Sequence, residues 1–182
     1  MRVSREKMHE HREHILDAAA TLFRERGLDG VGVAEIMEAA GLTHGGFYRH
    51  FASKDALAAQ ACGRAFEQAL GRLRRRSNVA SHAIGYLTER HRDQPGQGCP
   101  IACFAAEIAD SAAPVRTQFV DGLSRYLDLL AERLPRDRAI ALVASLVGAL
   151  LLARATAGEA PELSAEILAT MRETLSAAEA GA

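Results

Sequence analysis

The sequence predicts an all-α protein of about nine helices, with a small N-terminal unit of three followed by a larger helical body. Three observations carry this. Apolar residues recur at helical spacing along almost the whole chain, and no run of strand-like alternation appears. Alanine and leucine dominate the 48% apolar share, aromatics make up 5% and Trp is absent, a composition suited to helix packing. Proline stands at a helix's first turn four times, at Pro100, Pro114, Pro135 and Pro161, where its missing N–H has no intrahelical partner to lose.

The first helix should run from about Arg5 to Arg26, with Ile15, Ala19, Leu22 and Phe23 as its apolar stripe and Gly27 as its stop. VAEIMEAAG predicts a short second helix that turns Val33, Ile36, Met37 and Ala40 inward and ends at Gly41. After a turn at Leu42 and Thr43, HGGFYRHF predicts a third short helix. Ser53 then caps a long helix through KDALAAQACGRAFEQALGRLRRR, and another follows from about Ser77 to His91. RDQPGQG is the clearest loop. PIACFAAEIAD comes next, and then helices begun at Pro114, Pro135 and Pro161. Composition shifts near Ser53, dividing the chain into residues 1–52 and 53–182.

The net charge of −1 gives no global pull toward nucleic acid or an anionic membrane. Over residues 1–54, eight Lys/Arg are balanced by eight Asp/Glu, so any DNA binding must rest on placement. Cys62, Cys99 and Cys103 are too few and too unevenly spaced for a disulfide framework. The first residues are charged and lack a signal peptide's apolar core. The longest apolar run, 139–153, is shorter than the ~20 residues that span a bilayer. A cytoplasmic chain with no membrane partner is expected. HEHREH, His9 to His14, lacks the HExxH spacing and a third ligand, so neither metal nor cofactor is expected. No Gly-rich phosphate loop, paired catalytic carboxylates or Ser/His/Asp order supports an enzyme, and no catalytic residue is assigned.

GLTHGGFYRHFASKDAL, Gly41 to Leu57, carries the functional signal. Gly45 and Gly46 are adjacent at the head of a helical segment, although glycine costs a helix interior roughly 1 kcal/mol relative to alanine. Two short helices joined by a brief glycine-bearing turn describe a helix-turn-helix, whose second helix enters the DNA major groove. Glycine there would let backbone approach DNA closely. Thr43 could cap this helix, and His44, Tyr48, Arg49, His50 and Lys54 supply donors and charge. A tight packing turn in an ordinary helical protein would use the same spacing.

The stretch from REHILDAAATLFRERG through AEIMEAAGLT to FYRHFASKDAL resembles the DNA-binding domain of the TetR (tetracycline-repressor-like) family, over roughly a quarter of the chain. The resemblance implies an all-helical homodimeric repressor that binds double-stranded operator DNA, with a body that binds a small-molecule effector and releases the DNA. It places Thr43, His44, Gly45 and Gly46 on the first turn of the recognition helix, and Tyr48, His50 and Lys54 at phosphate-contacting positions. With Val33 and Arg49, these are the implied DNA-binding residues. Gly32 departs from the family, which commonly has a capping Thr there.

In the body, GCPIACFAAEIAD followed by VRTQF resembles a subgroup in which some members sense electrophiles or oxidants through the cysteine after the glycine, here Cys99. Pro100 would set Cys99 at a helix N-cap, where thiolate is stabilised, and Cys103 one turn on could resolve a sulfenic acid. Both could equally be small buried hydrophobes or unreactive pocket lining, and Cys62 reads as core. Phe66, Tyr86, Phe104, Phe119 and Leu123 are candidates to line an effector pocket with the two cysteines, or simply core. RLRRR suits a helix C-terminus, or an extra DNA contact. AIALVASLVGALLLA is apolar all round, so one face (Leu142, Leu146, Leu150) packs on its own body and the other (Val143, Val147, Leu151) needs a second chain. Leu163, Ile167, Met171 and Leu175 add a stripe to this dimer interface, unless all of it is buried within one subunit.

Overall fold

The structure, a computed structural model, describes residues 5–180, and those residues contain helices and turns but no strand. Helix α1 spans Arg5–Arg26, α2 Val33–Ala39, and a 3-10 turn follows over His44–Arg49. The body comprises α3 (Lys54–Arg74), α4 (Val79–Tyr86), α5 (Glu89–Asp93), α6 (Pro100–Phe104), α7 (Ala113–Ala131), α8 (Arg136–Thr156) and α9 (Pro161–Ala180).

α1 buries Ile15, Leu16, Ala19, Ala20 and Phe23, and packs on α2 and α3. Gly27 ends it at φ 79°, and Gly41 ends the α2 turn at φ 71°, left-handed conformations that other residues adopt at a cost. Ile36 and Met37 are buried on α2, whereas Val33 is only half-buried. Phe47 and Phe51 stack at 5.9 Å and close this small core. The expected third α-helix is instead a 3-10 turn that stops at Arg49, with i→i+3 bonds from Gly46 N–H to Thr43 O (3.0 Å) and from His50 N–H to Phe47 O (2.8 Å). Its paired glycines are poor α-helix formers, and the tighter turn suits a short segment. Thr43 is extended at its start but its hydroxyl makes no capping bond, contrary to the expectation.

Ser53 caps α3 as expected, its Oγ accepting from Ala56 N–H at 3.0 Å. α3 packs on α1 along one side and on α7 along the other, joining the small unit to the body. The helix expected over Ser77–His91 is two helices. Asn78 and Ser81 form a capping box for α4, and the backbone leaves helical geometry at Leu87 (φ −87°, ψ 64°). Thr88 then caps α5 by accepting from His91 N–H at 3.2 Å. RDQPGQG is only partly loop, because its first two residues close α5 and Pro95–Gln97 forms a 3-10 turn.

α8 packs on α9 and α7. Its inward residues include Leu142, Leu146 and Leu150, as expected, and also Val143, which is 8% exposed. Val143 therefore belongs to the subunit's own core. Ser164 of α9 is fully buried, donating to Ala153 O at 2.7 Å and accepting from Arg92 at 3.0 Å.

Candidate functional site

The Thr43–Lys54 segment forms one exposed face. Phe47 and Phe51 anchor it inward, while Arg12 of α1 clamps its end, donating to His50 O and to Gln60 with its guanidinium 4.3 Å above the Phe51 ring. Alternation about these anchors turns Thr43, His44, Gly45, Tyr48 and Arg49 outward, and Tyr48 is 76% exposed. Gly46, His50 and Lys54 are half-buried beside them. His44, the Tyr48 hydroxyl, Arg49 and Lys54 make no hydrogen bond or ion pair among the described residues. Val33, packed against the core from the first turn of α2, adds no polar group.

Neither glycine is required by the chain itself. A Cβ on Gly45 would meet nothing within 4 Å, one on Gly46 only the Met37 methyl at 3.6 Å, and neither has a positive φ. The local field is cationic despite the balanced charge count: burial holds the His50 pKa down, aided by His11, Arg12 and Arg49.

A second site lies in the body, a cavity of about 300 Å³ between α3, α4, α5, α7 and the 94–99 segment. Of the expected pocket residues, Tyr86 and Cys99 line it. The others do not. Phe66 and Phe119 meet edge-to-face at 5.6 Å in the α3–α7 seam, Phe104 is fully buried, and Leu123 packs against the core. Cys103 has its Sγ 3.7 Å from both Pro95 O and the Arg154 guanidinium.

The residues that sequence reasoning missed are polar. Arg72, His82 and Tyr126 reach the cavity, with Arg76 and Arg90 also in its wall. Tyr126 and His82 share a 2.9 Å hydrogen bond. His91 donates from Nδ1 to Tyr86 O at 2.7 Å and accepts at Nε2 from Cys99 N–H at 2.9 Å, which defines a neutral tautomer. Burial lowers the pKa of His91 to about 4, against the Tyr86 carbonyl and with Arg154 and Arg72, and that of His82 to about 4, with Arg76 as the next cause. The Tyr86 hydroxyl is buried and has no partner; the Cys99 thiol lies beside it without completing a hydrogen bond. The one signal for this chemistry was RLRRR, where Arg72 falls three residues after inward-facing Ala69.

Cys99 is 4% exposed at the N-cap of α6, as Pro100 suggested. Burial pushes the Cys103 thiol up despite Arg154, and Cys62 up to about 12. Among the described residues no group of His, Cys, Asp or Glu is placed to hold a metal ion.

A third feature is the outer side of α8. Ile140, Leu151 and Leu152 are exposed at 50%, 42% and 59%, with Val147 and Gly148 half-buried between them. On α9, Leu163 is exposed, while Ile167 and Met171 are half-buried against the core.

Comparison with known proteins gives a consistent picture. A family model for bacterial regulatory proteins, tetR family, matches residues 15–61. The chain is 28% identical over 139 residues to the HTH-type transcriptional repressor NemR of Escherichia coli K12, covering 71% of this chain and 70% of that protein. It is 30% identical over 114 residues to the HTH-type transcriptional repressor DhaR of Mycobacterium sp. GP1, covering 60% and 58%. The fold is similar to a TetR transcriptional regulator from Chloroflexus aurantiacus, with a TM-score of 0.74 at 25% identity over 94% of this chain and 96% of that one. It is also similar to the reduced form of E. coli NemR, with a TM-score of 0.72 at 24% identity over 91% and 96%.

Proposed function

The chain belongs to the tetR family of bacterial regulatory proteins, and from that premise we infer a repressor released from its operator by a small molecule bound in the body. It is a DNA-binding transcriptional regulator and not an enzyme. Regulators of this family bind operator DNA and act as dimers with small-molecule effectors. Residues 1–52 form the DNA-binding unit in this reading, and 53–182 the effector and dimerisation body, working in the cytoplasm where the operator is.

One observation carries the assignment of the DNA-contacting residues: exposed donors without partners surround a glycine that the chain itself does not need. Gly45 then serves an external surface, with the DNA backbone as its neighbour. Tyr48, Arg49, His50 and Lys54 contact phosphates, which position the protein, and His44 reaches base edges, which specify sequence. Thr43 and Gly46 flank that approach, and Val33 supports it from α2.

The test is a gel shift on the intergenic DNA beside the protein's own gene. Gly45→Leu should leave the melting temperature unchanged or higher while abolishing tight binding. Tyr48→Ala and Lys54→Ala should weaken binding to all sequences, and His44→Ala should alter sequence preference. Full operator affinity in all four variants refutes the reading.

A second reading has the repressor switched through Cys99, and is favoured by the position of that thiol in the cavity wall, within the electrostatic reach of Arg72. A small electrophile or oxidant entering the cavity would meet it there. If Cys99→Ser still leaves DNA on treatment with hypochlorite, this reading is wrong.

A further inference from the structure

We propose that the body cavity binds a small organic anion, held by the Arg72 guanidinium and the Tyr86 hydroxyl, and that binding is felt at α1 through the Gly98 carbonyl. This rests on the effector-released reading above and names the chemistry of its ligand.

Three arginines, Arg72, Arg76 and Arg90, line the cavity, and no Asp or Glu does. None of the three forms an ion pair with a carboxylate among the described residues. Arg72 is half-buried and its only described partner is a neutral carbonyl, Gly98 O at 2.9 Å. A cation taken out of water without a counterion is costly unless one can enter. The charges that weigh most on His82 are cationic: after burial itself, Arg76, Arg133 and Arg72 all oppose its protonation.

The second, independent observation is the Tyr86 hydroxyl, on a side chain 6% exposed that lines the cavity and donates to nothing. Buried donors are almost always satisfied, so an unpartnered hydroxyl on a residue of the cavity wall is available to an acceptor that arrives with a ligand. Arginine and a phenolic O–H together suit a carboxylate or phosphate oxygen pair. The volume, about 300 Å³, lies at the small end for ligand pockets and excludes long lipid chains.

Gly98 O links the cavity to the DNA-binding unit. It accepts from Arg72 at 2.9 Å and also from Arg24 of α1 at 3.2 Å. The same segment places Gly96 against Glu25. An anion that draws Arg72 away from this shared carbonyl alters the seat of α1.

The experiment is calorimetric titration of the full-length protein with sodium benzoate, sodium hexanoate and inorganic phosphate. Benzamide and hexanamide at matched ionic strength are the uncharged controls. At least one of the two carboxylates should bind saturably and raise the melting temperature, and its amide should bind at least tenfold more weakly. Arg72→Gln should reduce that affinity roughly tenfold or more. Because Arg72 also supports the 94–99 segment, Tyr86→Phe is the decisive variant. It removes only an unsatisfied hydroxyl, so the ligand-free protein should melt at the same temperature or higher, yet anion affinity should fall. Equal binding of acid and amide, binding unaffected by Tyr86→Phe, or no binding of either carboxylate, with or without binding of phosphate, overturns the proposal. Gel shifts with and without the bound anion separate the two readings. Loss of operator binding without ligand is a failure of the repressor reading, whereas intact operator binding with no anion response is a failure of this proposal alone.

Discussion

Burial sets the protonation of His82 and His91, and it gives the protein a defined acid sensitivity. Both pKa values fall from 6.5 to about 4, so the folded state holds each ring neutral. The unfolded chain takes up these protons once the pH drops below about 6.5, while the folded chain does not until about 4. Their contribution to stability is thus complete above about pH 6.5 and is lost progressively down to about pH 4. By pH 5 the loss should be on the order of 2 kcal/mol per histidine. Thermal melts across this range should show it, and His82→Gln should reduce the slope. A melting temperature independent of pH between 7 and 5 would contradict the assignment of two buried neutral rings.

At the scale of the helix, the α3–α7 seam depends on one missing side chain. Gly122 is buried against Phe66, and a Cβ there would overlap the ring. Phe66 cannot move away, because it is fully buried against Phe119. Gly122→Ala should therefore destabilise the protein by about 1–3 kcal/mol or more, in spite of alanine's better helix propensity, and chemical denaturation would measure it. Gly148 on α8 is the contrast, since a Cβ there meets nothing within 4 Å. Gly148→Ala should leave the isolated subunit as stable or up to about 1 kcal/mol more so. If the second subunit crosses at this point, Gly148→Leu should weaken the dimer without unfolding the subunit, and sedimentation would separate these effects.

For the whole molecule, the unresolved balance lies on α8. Among the described residues it is the one helix long and apolar enough to cross a membrane, but its inner side is committed to α7 and α9. Its outer apolar side, centred on Val147, Leu151 and Leu152 and continued by Leu163, is the surface we assign to the partner subunit of the family's dimer. Val143 is buried in the subunit's own core and is left out of this assignment, and Ile167 and Met171 are half-buried, which leaves only their exposed edges to offer. Leu151 is 42% exposed, so Leu151→Glu should fold as a monomer. Such a monomer should lose tight operator binding, because two half-sites about 34–36 Å apart need two linked recognition turns. Val147→Glu should act similarly. A Leu151→Glu monomer that still binds the operator tightly would refute the interface.

Local chemistry was legible in the sequence. Gly27 and Gly41 as helix stops, Ser53 as a cap and Pro100 behind Cys99 each act within a turn or two of their own position, so the chain alone determined them. The paired glycines and exposed donors of the Thr43–Lys54 face were readable for the same reason, as was the all-helical architecture that spacing dictates. What spacing could not decide is which neighbour a side chain meets. Val143 and Val147 are one turn apart on an apolar helix, and only the position of the packed helices makes one core and leaves the other partly open. Phe66 and Phe119 are pocket residues by type, and the close approach at Gly122 makes them a seam. Arg72 is one of five residues in RLRRR, and it becomes a cavity wall only because α4, α5 and α7 converge on its side of α3. A cavity is made by surfaces distant in sequence, so its charge belongs to the tertiary structure.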